Sequence, residues 1–140
     1  MPTRVKVVLR KGDKEIATSA LLNTGFTSDQ LDVLLPKKLA EVIGLWPPPE
    51  GSRIESLDTA GGEVMAYTIP NALRLTVDAG DRRSKEVTCN VVVSLHEKEV
   101  LLSDAVIEEL GIHIISPRKG IWRFKDDVKD RKSVECEEWR

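Results

Sequence analysis

Residues Ile16 to Leu45 read IATSALLNTGFTSDQLDVLLPKKLAEVIGL, and this stretch decides the fold. An apolar run of strand character leads directly into the polar tripeptide Asn23-Thr24-Gly25. The run Leu31–Leu35 is again short and apolar, and Pro36 suits the first turn of a helix that Gly44 closes. The tripeptide therefore stands where a buried strand opens into a loop, and its glycine allows close backbone approach.

The rest of the chain is typical of a mostly β domain. β-prone runs flank three turn sequences, which predict hairpins with turns at residues 11–14, 59–63 and 79–81. An apolar strand over Val100–Leu102 precedes a second helix that begins at Ser103 or Asp104, and Gly120–Phe124 makes a last strand. Many short strands and one or two short helices predict an all-β fold, either a barrel or a sandwich.

Composition narrows the class of protein. The chain has 140 residues, which is enough for one domain, and its 21 basic and 23 acidic residues are well mixed. No basic surface for nucleic acid and no membrane-binding patch is expected from this balance. No run approaches the 18 or so apolar residues of a membrane-spanning helix, and no signal peptide is visible. We expect a soluble cytoplasmic protein.

The C-terminal residues differ from the rest in composition. Residues 125–140 read KDDVKDRKSVECEEWR, with almost no apolar periodicity, which predicts a charged, flexible tail after a domain of residues 1–124. Cys89 and Cys136 form no metal-ligand pattern, and a disulfide between them is not expected. The two histidines are isolated, so neither a metal nor a cofactor is expected.

The tripeptide carries the chemistry. If its first residue were Asp, a two-fold dimer would bring two such loops together. Two carboxylates about 3 Å apart cannot both ionise near neutrality, so they would share a proton across a bound water. One would then act as the base on the water while the other protonated a peptide carbonyl.

The stretch LLNTGFTSDQLDVLLPKKLAEVIGL resembles the core motif of prokaryotic retropepsin-like aspartic peptidases. In that family an apolar pair precedes Asp-Thr-Gly, followed by Phe-Thr, a short strand ending in Leu-Pro and a helix ending in Gly-Leu. The later EVLLSDAVIEELGIHI resembles the second element of the family. The resemblance covers Val5 to Phe124.

The resemblance implies a retropepsin-like closed β barrel, which is the acid-protease fold. It also implies a homodimer that binds a peptide or protein substrate under two flaps. The catalytic position falls on Asn23, with Thr24 bracing the loop and Gly25 approaching the substrate. The flap falls on the second hairpin turn, whose substrate-binding residues would be Thr59, Ala60, Gly61, Gly62 and Glu63.

The chain departs from the family pattern at two positions. Asn23 stands where the family has its catalytic Asp, and Ser103 stands where the family usually has glycine. Asn23 is open to three interpretations: an Asp-to-Asn replacement, a natural pseudo-peptidase, or a structural asparagine in a turn. We expect an aspartic-type endopeptidase that is inactive as written. The alternative is a non-catalytic peptide-binding or dimerisation module on the same fold.

Overall fold

Ten strands and two short helices make up the computed structural model of the protein, which describes residues 2–59 and 62–140. The elements in chain order are β1 (Arg4–Lys11), β2 (Lys14–Leu22), β3 (Asp32–Pro36), α1 (Lys37–Ile43), β4 (Arg53–Thr59), β5 (Gly62–Val77), β6 (Val87–Ser94), β7 (Val100–Leu102), α2 (Asp104–Glu109), β8 (Ile112–Ser116), β9 (Ile121–Phe124) and β10 (Arg131–Lys132).

Six of these strands close into a barrel. The strand order β1-β2-β7-β3-β6-β5 returns to its start because β5 also pairs with β1. The strand β7 lies between β2 and β3, parallel to the first and antiparallel to the second. The prediction of an all-β barrel with two short helices is therefore confirmed.

Period-two alternation divides the apolar residues between two faces of the sheet. Val33 and Leu35 of β3 point into the barrel core, while Leu34 between them points outward. The outward-facing residues form a second cluster, which we call the apolar floor; it consists of Phe26, Leu34, Ala66, Val92 and Leu101. Every member is at most 7% exposed, so this outer face is covered.

The second hairpin extends beyond the barrel. β4 pairs with β5 over seven residues, but β5 meets β6 only from Tyr67 onward, so residues 55–59 and 62–66 form a projecting hairpin arm. A register shift between Ile69 and Leu73 interrupts the pairing of β5 with β6, and Asn71 within it has a φ of 48°. It separates the part of β5 that pairs with β1 from the part that pairs with β4.

Both helices begin and end close to the predicted residues. Gly44 follows α1 with a φ of 87°, a conformation that L side chains rarely adopt, and its N–H binds the carbonyl of Glu41. Ser103 caps α2, since its Oγ accepts a hydrogen bond from Val106 N at 3.4 Å. Ser103 is fully buried, with its hydroxyl turned onto the first turn of the helix.

The sequence did not predict the small sheet after α2. β8, β9 and β10 pair in the order β10-β9-β8, and only β9 matches a predicted strand. The third hairpin forms as predicted, because Leu75 pairs with Val87, but its connection spans residues 78–86 instead of only 79–81.

Residues 125–140, predicted as a flexible tail, lie against the barrel in the structure. The backbone N–H of Val134 binds the carbonyl of Arg4 at 3.0 Å, beside the point where Asp78 N binds the carbonyl of Lys6. The indole of Trp139 donates to Thr18 Oγ1 at 3.0 Å. The tail therefore hydrogen-bonds to β1 just beyond the residues of β1 that pair with β5. These contacts involve backbone groups and single side chains, so the tail sequence shows no apolar periodicity that would predict them. The flexibility of the tail stays a prediction.

Candidate functional site

The loop that carries Asn23 begins at the end of a central strand. Leu22 is the last residue of β2 and lies opposite Leu102, and the next N–H, of Asn23, binds the carbonyl of Leu102 at 3.2 Å. The Asn23 carbonyl then accepts from Phe26 N at 3.0 Å, which closes a tight turn. Residues 23–31, which we call the Asn23 loop, thus leave the barrel at the edge shared by β2, β7 and β3.

The side chain of Asn23 completes this turn. Its Oδ1 accepts a hydrogen bond from the backbone N–H of Gly25 at 3.0 Å, which is an Asx turn. Within residues 2–59 and 62–140 the other amide atom, Nδ2, has no hydrogen-bond partner. Asn23 is half-buried, whereas Thr24 and Gly25 are exposed. The tip of the loop therefore presents its backbone and one amide group outward.

The second helix anchors the far side of the Asn23 loop. Asp104 N binds the carbonyl of Phe26 at 3.0 Å, and the Asp104 carboxylate accepts from Ser28 N at 2.9 Å. The same carboxylate oxygen accepts from Ala105 N at 2.8 Å, so Asp104 joins the loop to the first turn of α2. A negative charge also suits this end of a helix.

A polar network fixes the later part of the loop. Asp32 Oδ2 accepts from Ser28 Oγ at 2.5 Å, and Asp32 Oδ1 accepts from Asn90 Nδ2 at 3.1 Å. Asn90 also donates to Gln30 at 2.8 Å. Neither Asp32 nor Asp104 has an ion-pair partner within the described part of the chain. Their carboxylates are held by neutral hydrogen-bond donors at the edge of the site.

The apolar floor adjoins the Asn23 loop. Phe26 belongs to both features, because it lies in the loop and is 2% exposed within the outer cluster. Ala66, from the hairpin arm, lies on the same cluster and brings the base of the arm over the floor. The loop, the floor and the arm thus border one face of the protein.

The structure places three of the predicted flap residues, Thr59, Gly62 and Glu63, at the end of the described part of the hairpin arm. Thr59 pairs with Gly62, whose φ is 109°, and Ala60 and Gly61 lie outside the described residues. The Glu63 carboxylate accepts a hydrogen bond from Ser56 Oγ, and in the described residues no hydrogen bond joins Glu63 to the Asn23 loop. The assignment of these five residues to substrate binding stays a prediction.

Sequence reasoning missed the floor residues as part of a site. Leu34, Val92 and Leu101 each stand in the middle of an unbroken apolar run, where both faces of the strand are apolar. Such runs carry no alternation that separates the core face from the outer face. The hydrogen bond from Ser28 to Asp32 depends on the conformation of the loop, for which the sequence carries no signal.

The cysteines and the side chains that could bind a metal lie apart from one another in the described residues. Both cysteines are free, and burial raises the pKa of the Cys89 thiol to about 12. Across residues 2–59 and 62–140, no group of three His, Cys, Asp or Glu residues is placed to hold a metal ion. Among the helices in those ranges, none has the length and apolar character to cross a membrane.

Comparisons with known proteins do not assign a family. No family model matches the chain, and no curated protein matches it significantly. The resemblance to the retropepsin-like peptidases therefore depends on the motifs of the sequence, with the closed barrel as support for the fold class alone.

Proposed function

We propose that the protein is a homodimeric, retropepsin-like aspartic peptidase that binds an extended peptide and in which Asn23 prevents hydrolysis. One observation carries the proposal: the Asn-Thr-Gly turn lies at a strand end, with an exposed tip beside an apolar floor and a hairpin arm. This arrangement supports the proposal, because the sequence resemblance implies a turn at the end of a strand and a hairpin that follows it along the chain.

The hydrogen bond of Asn23 is one that an Asp at this position could form equally well. An Asp at this position accepts the same bond from Gly25 N through one carboxylate oxygen, because Asp and Asn share shape and size. Its second oxygen then occupies the place of Nδ2. An amide has no basic oxygen to take a proton from water, so two Asn23 residues cannot form a proton-sharing pair.

A complete site needs two copies of the chain. The sequence contains a single Asn-Thr-Gly motif, so one chain supplies only one of the two catalytic positions. Thr24 and Gly25 are exposed, which leaves the tip of the loop available for contact with the same loop of a partner. A two-fold axis through this tip makes the interface self-complementary.

The substrate class follows from the hairpin arm. An extended peptide that lies between the arm and the apolar floor adds a strand beside existing backbone, and its alternate side chains face the floor. The floor residues Phe26, Leu34 and Leu101 are at most 7% exposed, so they give a peptide little side-chain surface to contact. We therefore propose that the substrate is an extended peptide that binds mainly through backbone hydrogen bonds.

The test is cleavage of a peptide library by Asn23→Asp beside the chain as it stands, from about pH 3 to 7. The matched control is Asn71→Asp, which makes the same chemical change at an exposed residue far along the chain. We expect cleavage by Asn23→Asp only, blocked by a transition-state inhibitor of aspartic peptidases. Absence of cleavage by a folded, dimeric Asn23→Asp protein would refute the peptidase proposal.

One observation favours the second candidate, a non-catalytic peptide-binding module. The Asx turn of Asn23 is complete without a carboxylate, so the loop needs no catalytic group to hold its shape. If this candidate is correct, the chain as it stands and its Asn23→Asp variant both bind library peptides, and neither cleaves them. Equilibrium binding measured beside the cleavage assay separates the two candidates.

A further inference from the structure

The face of β5 that lines the barrel core continues beyond the barrel along the hairpin arm. Ile69 belongs to the core cluster and Tyr67 packs against it, and because side chains alternate along a strand, Met65 lies on the same face. Ile54 joins this face because it pairs with Tyr67 across the hairpin. Ala66 points the other way, onto the apolar floor. The arm therefore turns a core-type face outward, on the side away from the proposed peptide.

This outward face carries a stripe of apolar side chains. Met65 is 66% exposed and Ile54 is 60% exposed, and the two lie diagonally across the hairpin from each other. At the base of the arm the stripe meets two half-buried aromatic rings, with Trp46 edge-on to Tyr67 at 5.3 Å between ring centroids. We call these four residues the arm stripe. Exposed apolar side chains that adjoin one another mark a contact surface, whereas scattered single ones do not.

Opposite charges lie at the two ends of the arm stripe. Toward the tip, the exposed Glu63 carboxylate lies on the same face as the stripe, and no cation in the described part of the chain pairs with it. Toward the base, the Lys37 ammonium lies 5.7 Å from the centre of the Trp46 ring. Lys37 and Lys38 share the Glu41 carboxylate, at 3.9 and 3.8 Å, so two cations and one anion leave this end positive.

A surface with this charge pattern is complementary to itself. When a second copy of the arm lies against the first and runs in the opposite direction, the apolar side chains meet in the middle. The tip of each arm then lies over the base of the other, so Glu63 of each copy faces Lys37 of the other. These two equal contacts are related by a two-fold axis. A parallel arrangement sets like charges against each other at both ends and is disfavoured.

We propose that the arm stripe binds the arm stripe of a second copy of this chain, with the two arms packed face to face and antiparallel. From Glu63 to Tyr67 the strand advances about 14 Å, at about 3.4 Å per residue. A surface this short buries less than the roughly 800 Å² per partner of a standard interface, so the association is weak and rapidly reversible. It does not depend on the peptidase proposal, because the stripe faces away from the apolar floor. Where Asn23 loops also pair, arm contacts join those dimers into larger assemblies.

The experiment is sedimentation velocity at low ionic strength, from micromolar to millimolar protein. We expect the sedimentation coefficient of the chain as it stands to rise with concentration. Glu63→Lys sets lysine against lysine in both end contacts, and Lys37→Glu sets glutamate against glutamate. Each variant alone should therefore associate at least about fivefold more weakly. An equimolar mixture of the two variants restores an attractive pair at both ends, and it should associate as strongly as the original chain.

Met65→Ser tests the apolar part of the contact. The association should weaken at least about tenfold, because each pair of arms loses two methionine side chains. Val128→Ser is the matched control, since Val128 is fully exposed on the tail and should leave the association unchanged.

Three results would overturn the proposal: no association beyond the monomer or an Asn23 loop dimer, a mixture of charge variants as weak as its components, or equal association of Met65→Ser and Val128→Ser. A stripe that serves a different protein gives the first of these results. Each of them leaves the peptidase proposal untouched, because cleavage by Asn23→Asp is measured separately.

Discussion

Replacement of Arg131 by Met tests whether residues 125–140 belong to the folded domain. The side chains of Arg131 and Asp127 are 8% and 6% exposed, and their Nε–Oδ2 distance is 2.7 Å. Loss of one member of a buried ion pair costs about 3–5 kcal/mol, because the other charge stays buried without compensation. Asp127 keeps a hydrogen bond from Phe124 N at 2.9 Å and an ion pair with Arg82 at 3.2 Å. We therefore expect the lower end, about 3 kcal/mol.

The assay is equilibrium urea unfolding followed by far-ultraviolet circular dichroism. Arg140→Met is the matched control, because its pair with Glu138 is exposed and should contribute less than about 1 kcal/mol. Asp127→Asn combined with Arg131→Met should recover part of the loss, since it removes the uncompensated charge. A loss below about 1 kcal/mol for Arg131→Met would show that the tail does not bury this pair in solution.

Three further predictions concern stability. Trp139→Phe keeps a ring but leaves the buried Thr18 hydroxyl without its donor, so the free energy of unfolding should fall by about 1 kcal/mol, measured in urea. Ser103→Ala removes the cap on Val106 N and should cost about 0.5–1 kcal/mol in thermal unfolding, whereas an unchanged midpoint would contradict a capping role. The Arg131 guanidinium lowers the pKa of Asp127 to about 2 from an ordinary value of 3.8, so this stabilisation is complete above about pH 4 and is lost as the pH falls toward 2. Unfolding midpoints between pH 2 and 5 test this, and Arg131→Met should flatten the dependence.

Local patterns were sufficient to predict the barrel elements. The turn at residues 11–14, the helix after Pro36 and the strand at Val100–Leu102 each carry their own signal in turn residues, proline position or apolar runs. The number and spacing of the strands predicted a barrel or a sandwich, and the closed barrel was expected only from the family resemblance. It did not depend on any contact between distant residues.

What the sequence could not predict depends on long-range contacts. The insertion of β7 between β2 and β3 places Leu102 beside Leu22, and this pairing brings the Asn23 loop and α2 together. The link from Ser28 to Asp104 joins residues 76 positions apart. The tail was predicted as flexible because charged residues dominate it, yet Val134 and Trp139 lie against the barrel through single contacts that have no period.

The central claim is that two Asn23 loops meet on a two-fold axis, and a disulfide cross-link tests it most directly. Thr24→Cys places a thiol at the exposed tip of the loop, in a Cys136→Ser background that removes the exposed native thiol. Ser52→Cys, at the end of the connection between α1 and β4, is the control. Our account predicts a covalent dimer under mild oxidation for Thr24→Cys and none for Ser52→Cys, since a disulfide requires Cα atoms within about 7 Å. A Thr24→Cys protein that stays monomeric under the same conditions would contradict it.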